Sequence, residues 1–155
     1  MGTRPVVAIA HDYLTQRGGA ERVVLTMAKA FPDAPIYTTL FDLDETYPAF
    51  GSLDVRASWL NRIKIFRKNH RWALPLLPFV ARRTKVNADI VLCSSSGWSH
   101  GFRTPGRKVV YCYSPARWLY QTQRYLGDHS SGFSSVVLKV LAPYLRRWDR
   151  KAART

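Results

Sequence analysis

The chain has 155 residues, which suits a single domain, and 46% of them are hydrophobic, which excludes a wholly disordered protein. Its formal net charge is +14. The charge is uneven: residues 1–54 contain four basic and seven acidic residues, whereas residues 55–155 contain twenty basic and three acidic ones. This asymmetry predicts a polyanionic partner, which could be acidic lipid, a phosphorylated substrate or nucleic acid.

Cysteine and histidine usage gives little support for a metal site. Cys93 and Cys112 are the only cysteines, each in an apolar, strand-like run. We expect two buried free thiols in a reducing compartment, with a disulfide as the alternative. No Cys or His cluster has zinc spacing, and no metal is expected. Because we find neither a signal peptide nor the ~20 apolar residues that span a bilayer, we expect a cytoplasmic protein, peripheral at most on the inner membrane face.

The N-terminal third has the pattern of a strand–helix–strand unit. Pro5 to Ala10 is a nearly all-apolar run, as expected of a strand buried on both faces. Ala20 to Phe31 carries an apolar stripe at helical spacing, and Pro32 ends it. Ala34 to Leu40 then resembles a second strand. This order predicts a parallel sheet.

The middle of the chain combines basic and aromatic residues. Arg56 to Lys85 contains nine basic residues and no acidic one. We interpret it as two helical pieces divided near Lys68 to His70. The mixture favours contact with an acidic membrane surface, with a solvated basic face on packing helices as the alternative and nucleic acid in third place. The residues predicted for membrane contact are Trp59, Arg62, Lys64, Phe66, Arg67, Lys68, Arg71 and Trp72.

Two further strands and a long helix complete the predicted fold. Asp89 to Ser94 and Lys108 to Tyr113 are the strands, and the helix runs from about Ser135 to the end. We therefore predict an α/β, Rossmann-like three-layer sandwich with a mainly parallel sheet. Residues 1–134 would form this domain, and residues 135–155 a helix leading toward an absent donor-binding domain.

Glycines open the first predicted helix directly after a strand. Gly18, Gly19 and Ala20 leave the backbone accessible, and helix-start amides favour an anion, so they predict a phosphate site. An ordinary tight turn is the alternative, because the spacing is neither that of a dinucleotide fingerprint nor that of a Walker loop.

Polar side chains follow the predicted strands at the edge where open α/β sheets bind ligands. We expect them to line an acceptor site, with hydroxyls and carboxylate meeting a polyhydroxylated ligand, Arg clamping a phosphate and Trp stacking on a sugar or isoprenoid face. Loop caps and surface packing are the alternatives. The residues are His11, Asp12, Ser95, Ser96, His100, Tyr113, Arg117 and Trp118.

Several segments together resemble family 4 glycosyltransferases of the GT-B class. HDYLTQRGGAERV, FPDAPIYTTLFD, LPLLPF, SSSGWSHGF, YCYSPARWLY and YLRRWDRKAART follow one another as in a subgroup similar to bacterial O-antigen and exopolysaccharide mannosyltransferases. The resemblance covers essentially the whole chain. It implies the N-terminal, acceptor-side half of a metal-independent, retaining enzyme whose glycine loop approaches the donor phosphates. The enzyme would transfer a sugar such as mannose from a nucleotide sugar to a lipid-linked or polysaccharide acceptor.

Two departures from the family pattern qualify this expectation. Tyr113 stands where the family usually has His before Thr-Pro. Glu21 and Glu45 are the only glutamates, so the E-x7-E motif of the donor-binding half is missing. We expect the chain to hold an acceptor and to need a C-terminal partner half for turnover. The alternative is a non-enzymatic membrane- or protein-binding module derived from a glycosyltransferase.

Overall fold

The computed structural model describes residues 4–121 and 132–154, and the side chains of Arg71, Trp118 and residues 132–139 lie outside the described part. Its middle layer is a five-stranded sheet. The strands, in chain order, are β1 (Val7–His11), β2 (Ile36–Thr38), β3 (Val55–Ala57), β4 (Ile90–Ser95) and β5 (Arg107–Cys112). Their spatial order is β3-β2-β1-β4-β5, and every neighbouring pair is parallel. The predicted Rossmann-like α/β class is confirmed.

Helices cover both faces of this sheet. They are α1 (Gly19–Ala30), α2 (Lys64–Lys68), α3 (His70–Ala73), α4 (Leu77–Arg83), α5 (Arg117–Tyr120) and α6 (Gly132–Ala152). Short 3₁₀ turns occupy Pro48–Ser52, Trp59–Arg62 and Ser99–Gly101. Within the described ranges, no helix combines the length and apolar character needed to cross a membrane.

Alternate residues of β1 separate two apolar cores. Ile9 faces α1, where it packs with Val24 and Ala28. Ala8 and Ala10 face the opposite layer, which contains α3, α4 and the buried Leu145 of α6. Burial on both faces explains the unbroken apolar run of this strand. The helix α6, which begins three residues before the predicted start, therefore packs on the sheet through Leu145.

The basic middle segment does not form the two helices that the sequence predicts. Its first residue, Arg56, lies in β3, a strand that was not predicted. Three short helices follow instead of two, although the predicted division is correct, because α2 ends at Lys68 and α3 begins at His70. A three-residue edge strand carries too few apolar positions to show a period of two.

Candidate functional site

The carboxyl ends of β1 and β4 form the edge at which most of the predicted site residues lie. These strands are neighbours, with His11 paired to Ser94. The chain connects β1 to β2 and β3 on one side and then crosses to β4 on the other, so the strand order reverses here. In open α/β sheets such a reversal leaves a crevice outside the strand ends, and ligands bind in it.

Asp12 fixes the loop that follows β4. Its carboxylate accepts bonds from the backbone amides of Ser96 at 2.7 Å, Trp98 at 2.9 Å and Ser99 at 2.7 Å, and it is 1% exposed. The Ser96 hydroxyl adds a bond of 3.1 Å. A buried carboxylate with this many donors is saturated. Asp12 therefore positions the loop through these bonds, and its contact with a ligand hydroxyl stays a prediction.

His11 connects the two strands to the first helix. Its Nδ1 lies 3.0 Å from both the backbone oxygen and the hydroxyl of Ser94, and its Nε2 lies 3.5 Å from Oε1 of Glu21. The His11 ring and the Glu21 carboxylate are both buried. His11 is thus beneath the site and oriented by Glu21 and Ser94, not placed in its lining.

Glu21 caps the first helix through its side chain. Its Oε2 accepts the Gly18 amide at 2.9 Å, and Gln16 donates to Oε1 at 3.1 Å. Burial disfavours its charge, but the hydrogen bond and charge of His11 outweigh that effect with the other donors, so the pKa of Glu21 is lowered. The Gly18 amide is thus engaged by Glu21 in this structure, and its bond to a donor phosphate stays a prediction.

Gly19 is the open position of the loop. A Cβ built on Gly19 would meet no atom within 4 Å, whereas a Cβ on Gly18 would lie 2.5 Å from Oε2 of Glu21. The first-turn amides of Gly19 and Ala20 precede any intrahelical acceptor and are suited to an anion. The two glycines therefore have different roles: Gly18 permits the cap and Gly19 leaves room for a ligand.

A cleft of about 310 Å³ lies over this loop and the β4 end. It combines five of the predicted residues with others that the sequence analysis did not select. The predicted ones are Gly19, Ala20, Ser96, Tyr113 and Arg117, and the added ones are Tyr13, Gln16, Glu21, Gly97 and Trp98. The Tyr13 ring stacks on Trp98 at 5.6 Å between centroids, giving the cleft an aromatic wall.

Tyr113 and Arg117 complete the side of the cleft nearest β5. The hydroxyl of Tyr113 lies 3.0 Å from that of Ser94 and 3.3 Å from the Ala20 carbonyl oxygen, so it ties β5 to α1. Burial is the main cause that raises the pKa of Tyr113 above its usual value. Arg117 is exposed at the start of α5, with its guanidinium accessible to a ligand. The side chain of Trp118 lies outside the described residues.

Ser95 and His100 belong to a second cavity, of about 360 Å³, and not to the cleft. The Ser95 hydroxyl is 3.1 Å from Nδ1 of His100, whose Nε2 is 3.1 Å from Oδ1 of Asp149 on α6. Tyr120 donates to the same carboxylate at 2.9 Å. These side chains thus connect α6 to the sheet edge, and their acceptor role stays a prediction.

The surface predicted to contact a membrane is only partly exposed. Trp59 and Trp72 are 54% and 55% exposed, and Arg62 and Lys64 are also exposed. Phe66 instead packs against the core, Arg67 is half-buried, and Lys68 pairs with Glu45 at 3.3 Å. Arg71 has no described side chain. Ile65 and Phe79, which were not selected, are exposed on the same segment.

In the described ranges, no group of three or more His, Cys, Asp or Glu side chains could hold a metal ion. Comparisons of the chain with models of protein families, with curated proteins and with solved structures give no match. We therefore infer the function from the geometry of the site.

Proposed function

We propose that this domain is the acceptor-side half of a GT-B glycosyltransferase, holding a sugar acceptor, lipid-linked or polysaccharide, beside the phosphates of a nucleotide sugar. The observation that carries the proposal is the cleft at the β1 and β4 ends. Its lining includes both the open Gly19 and the exposed Arg117. A glycine loop at a helix start and a guanidinium are two devices that proteins use for phosphate groups.

Within this proposal each side of the cleft has its own ligand. The amides of Gly19 and Ala20 meet the donor pyrophosphate, while Arg117 holds the acceptor phosphate. The hydroxyl oxygens of Ser96 and Tyr113, whose protons are donated to Asp12 and to the Ala20 carbonyl, can accept from sugar hydroxyls. The half-buried Tyr13 ring, which is backed by the buried Trp98, suits the apolar face of a sugar ring or an isoprenoid.

Turnover in this proposal needs a donor-binding half that supplies the nucleotide site and a pair of glutamates. Glu21 cannot take their place, because its carboxylate is buried and committed to Gly18, Gln16 and His11. In the complete enzyme the nucleotide sugar would be a co-substrate, and we predict no metal cofactor. We therefore expect binding, and not transfer, from this domain alone.

An exposed apolar and cationic surface supports a lipid-linked acceptor. Trp59, Ile65 and Trp72 are exposed beside Arg62 and Lys64. Aromatic and aliphatic side chains enter the headgroup boundary while cations meet acidic lipid. The same surface favours the second candidate, a non-enzymatic module that docks on acidic membrane at the inner face.

Substitution of Arg117 tests the acceptor site. Arg117→Ala should weaken binding of an isoprenoid pyrophosphate by about tenfold or more, which corresponds to the loss of a charge-assisted pair. Arg4→Ala is the matched control, because Arg4 is exposed before β1 at the opposite edge of the sheet. Equal affinity of the Arg117→Ala variant and the unsubstituted protein would refute the assignment.

Vesicle sedimentation separates the two candidates. The module predicts binding to anionic vesicles with no dependence on an isoprenoid pyrophosphate. The acceptor-side half predicts that adding the isoprenoid pyrophosphate to the vesicles increases binding, and that Arg117→Ala removes only this increase.

A further inference from the structure

Another cleft, of about 310 Å³, lies on the α4 and α6 side of the sheet and is separate from the cavity at Ser95 and His100. It shares no lining residue with the cleft at Gly19 and Arg117. Its walls come from the end of α4, the segment between β4 and β5, the start of β5 and the last turn of α6. The side chains that matter for its chemistry are Arg82, Arg103, Thr104, Lys108, Trp148 and Lys151.

The charge of this cleft is strongly positive. It contains the four cations Arg82, Arg103, Lys108 and Lys151, and its described lining contains no carboxylate. Among the described residues, Arg82, Arg103 and Lys151 form no ion pair. Cations that line one cleft repel one another, so an anion bound among them is favoured.

Backbone bonds hold the β4–β5 wall in place. The Arg103 amide donates to the Thr84 carbonyl at 2.9 Å, and the Val86 amide donates to the Arg103 carbonyl at 2.8 Å. Lys108 donates from Nζ to the His100 carbonyl at 3.0 Å, which keeps its ammonium group at the cleft. These bonds fix the backbone from which Arg103 and Lys108 extend before any ligand arrives, which lowers the ordering cost of binding.

A close backbone approach sets the floor of the cleft. A Cβ on Gly106 would lie 2.2 Å from the Ala88 carbonyl oxygen, so only glycine fits at that turn. The Gly106 amide donates to the Thr104 hydroxyl at 3.1 Å. The turn is therefore rigid and leads directly into Lys108 on β5.

The helix α6 supplies the opposite wall. Trp148 lies against Gly101, where an added Cβ would come within 2.5 Å of the indole ring. Lys151 follows three residues later and shares that helix face. Tight seating of Trp148 thus fixes where Lys151 lies, and the half-buried indole gives the cationic cleft an apolar side.

We propose that this cleft binds the phosphate group of a phosphorylated ligand. Arg82, Arg103 and Lys151 hold the phosphate oxygens, and Trp148 contacts the part of the ligand that bears no charge. The proposal is independent of the glycosyltransferase assignment, because it rests on a different cavity. The phosphate could belong to a soluble ester or to a lipid headgroup, and the experiment distinguishes these two sources.

The test uses the full chain labelled with ¹⁵N and titrated with inorganic pyrophosphate at low and at raised salt. We expect the amide signals of Arg103, Thr104 and Gly106 to shift in a saturable and salt-sensitive manner. Lys151→Ala and Arg103→Ala should each weaken this binding by about tenfold, the effect of one charge-assisted hydrogen bond. Lys29→Ala is the matched control, because Lys29 is exposed on α1 at the opposite face.

Sedimentation with phosphatidylcholine vesicles, with and without phosphatidic acid, is the second arm. Pyrophosphate binding without vesicle binding indicates a soluble ester, whereas Lys151-dependent binding to phosphatidic acid indicates a lipid headgroup. The proposal is overturned if neither probe binds, or if Lys29→Ala loses as much affinity as Lys151→Ala. It is also overturned if the chain binds duplex DNA but neither pyrophosphate nor phosphatidic acid. Shifts confined to Gly19 and Ala20 would overturn this site and leave the proposed function intact.

Discussion

Gly19→Ala tests whether the glycine at position 19 leaves room for a ligand or is required by the fold. The added methyl group would meet no protein atom within 4 Å, so the substitution introduces no internal clash. Gly19 is also the first residue of α1. Alanine in a helix is favoured over glycine by up to about 1 kcal/mol, and less in the first turn, so the unfolding free energy should rise by between zero and about 1 kcal/mol.

Gly18→Ala is the paired variant, and the opposite effect on stability is expected. Its Cβ would lie 2.5 Å from Oε2 of Glu21, a carboxylate held by Gly18, Gln16 and His11. Displacing that carboxylate breaks buried, charge-assisted bonds, and about 1–3 kcal/mol of unfolding free energy should be lost.

The assay combines urea unfolding with a titration of pyrophosphate followed through the amide signals of Ala20 and Glu21. If a phosphate approaches the loop, the methyl group of Gly19→Ala occupies its path and binding should weaken by about tenfold or more, while stability is unchanged or higher. A variant as stable as the original chain that still binds pyrophosphate equally well would refute the reasoning. The shifts of the Arg103 and Gly106 amides in the same spectra should be the same in the Gly19→Ala variant and in the original chain, and they are the internal control.

Four further predictions follow from the same contacts. Because the pKa of Glu21 is lowered in the fold, its stabilising effect is present above pH 4.5 and lost as the pH falls through the folded pKa; Glu21→Gln should therefore flatten the loss of unfolding free energy below pH 4.5. Gly101→Ala should cost about 1–3 kcal/mol in urea unfolding, because its Cβ would lie 2.5 Å from the Trp148 ring. Burial raises the pKa of Cys93 to about 12, so mass spectrometry after brief alkylation should find Cys112 modified and Cys93 intact until the chain unfolds. Trp72→Ser should reduce sedimentation with anionic vesicles, whereas Phe31→Ser, which removes an exposed aromatic residue on the α1 side, should not.

The sheet and its functional edge were predictable because their signal is local. The apolar runs of β1 and β4 are buried on both faces, and the carboxyl ends of parallel strands lie at one edge whatever the details of packing. The same rule explains why Ser96 and Arg117 lie together in the lining of the cleft. The strand β3 was missed because its three residues include the exposed Arg56 in a basic segment.

Which of the site residues line the cleft and which are buried could not be predicted from their positions along the chain. Asp12 follows β1 and Ser95 ends β4 at the same edge as Ser96, yet the side chains of Asp12 and Ser95 are buried. His100 meets Asp149 across 49 positions of sequence through the docking of α6, which no local pattern shows. Glu21 could have been found, because glutamate three residues after the helix cap is the signature of a capping box.

The cysteines show a similar limit. Both are free thiols, as predicted, and Cys93 is buried, but Cys112 is exposed. An apolar strand pattern predicts burial only when neighbours cover the strand. Since β5 has a partner on one side only among the described residues, its Val109, Val110 and Tyr111 are exposed as well.

Localisation of an isoprenoid pyrophosphate on the ¹⁵N-labelled chain tests the central claim most directly. The proposed acceptor role predicts that the largest amide shifts occur at Arg117, Ser96, Gly97 and Trp98, with saturation at a single affinity. Shifts confined to the exposed surface around Trp59 and Trp72, or no saturable shift in the cleft, would contradict the claim and favour the membrane-binding module.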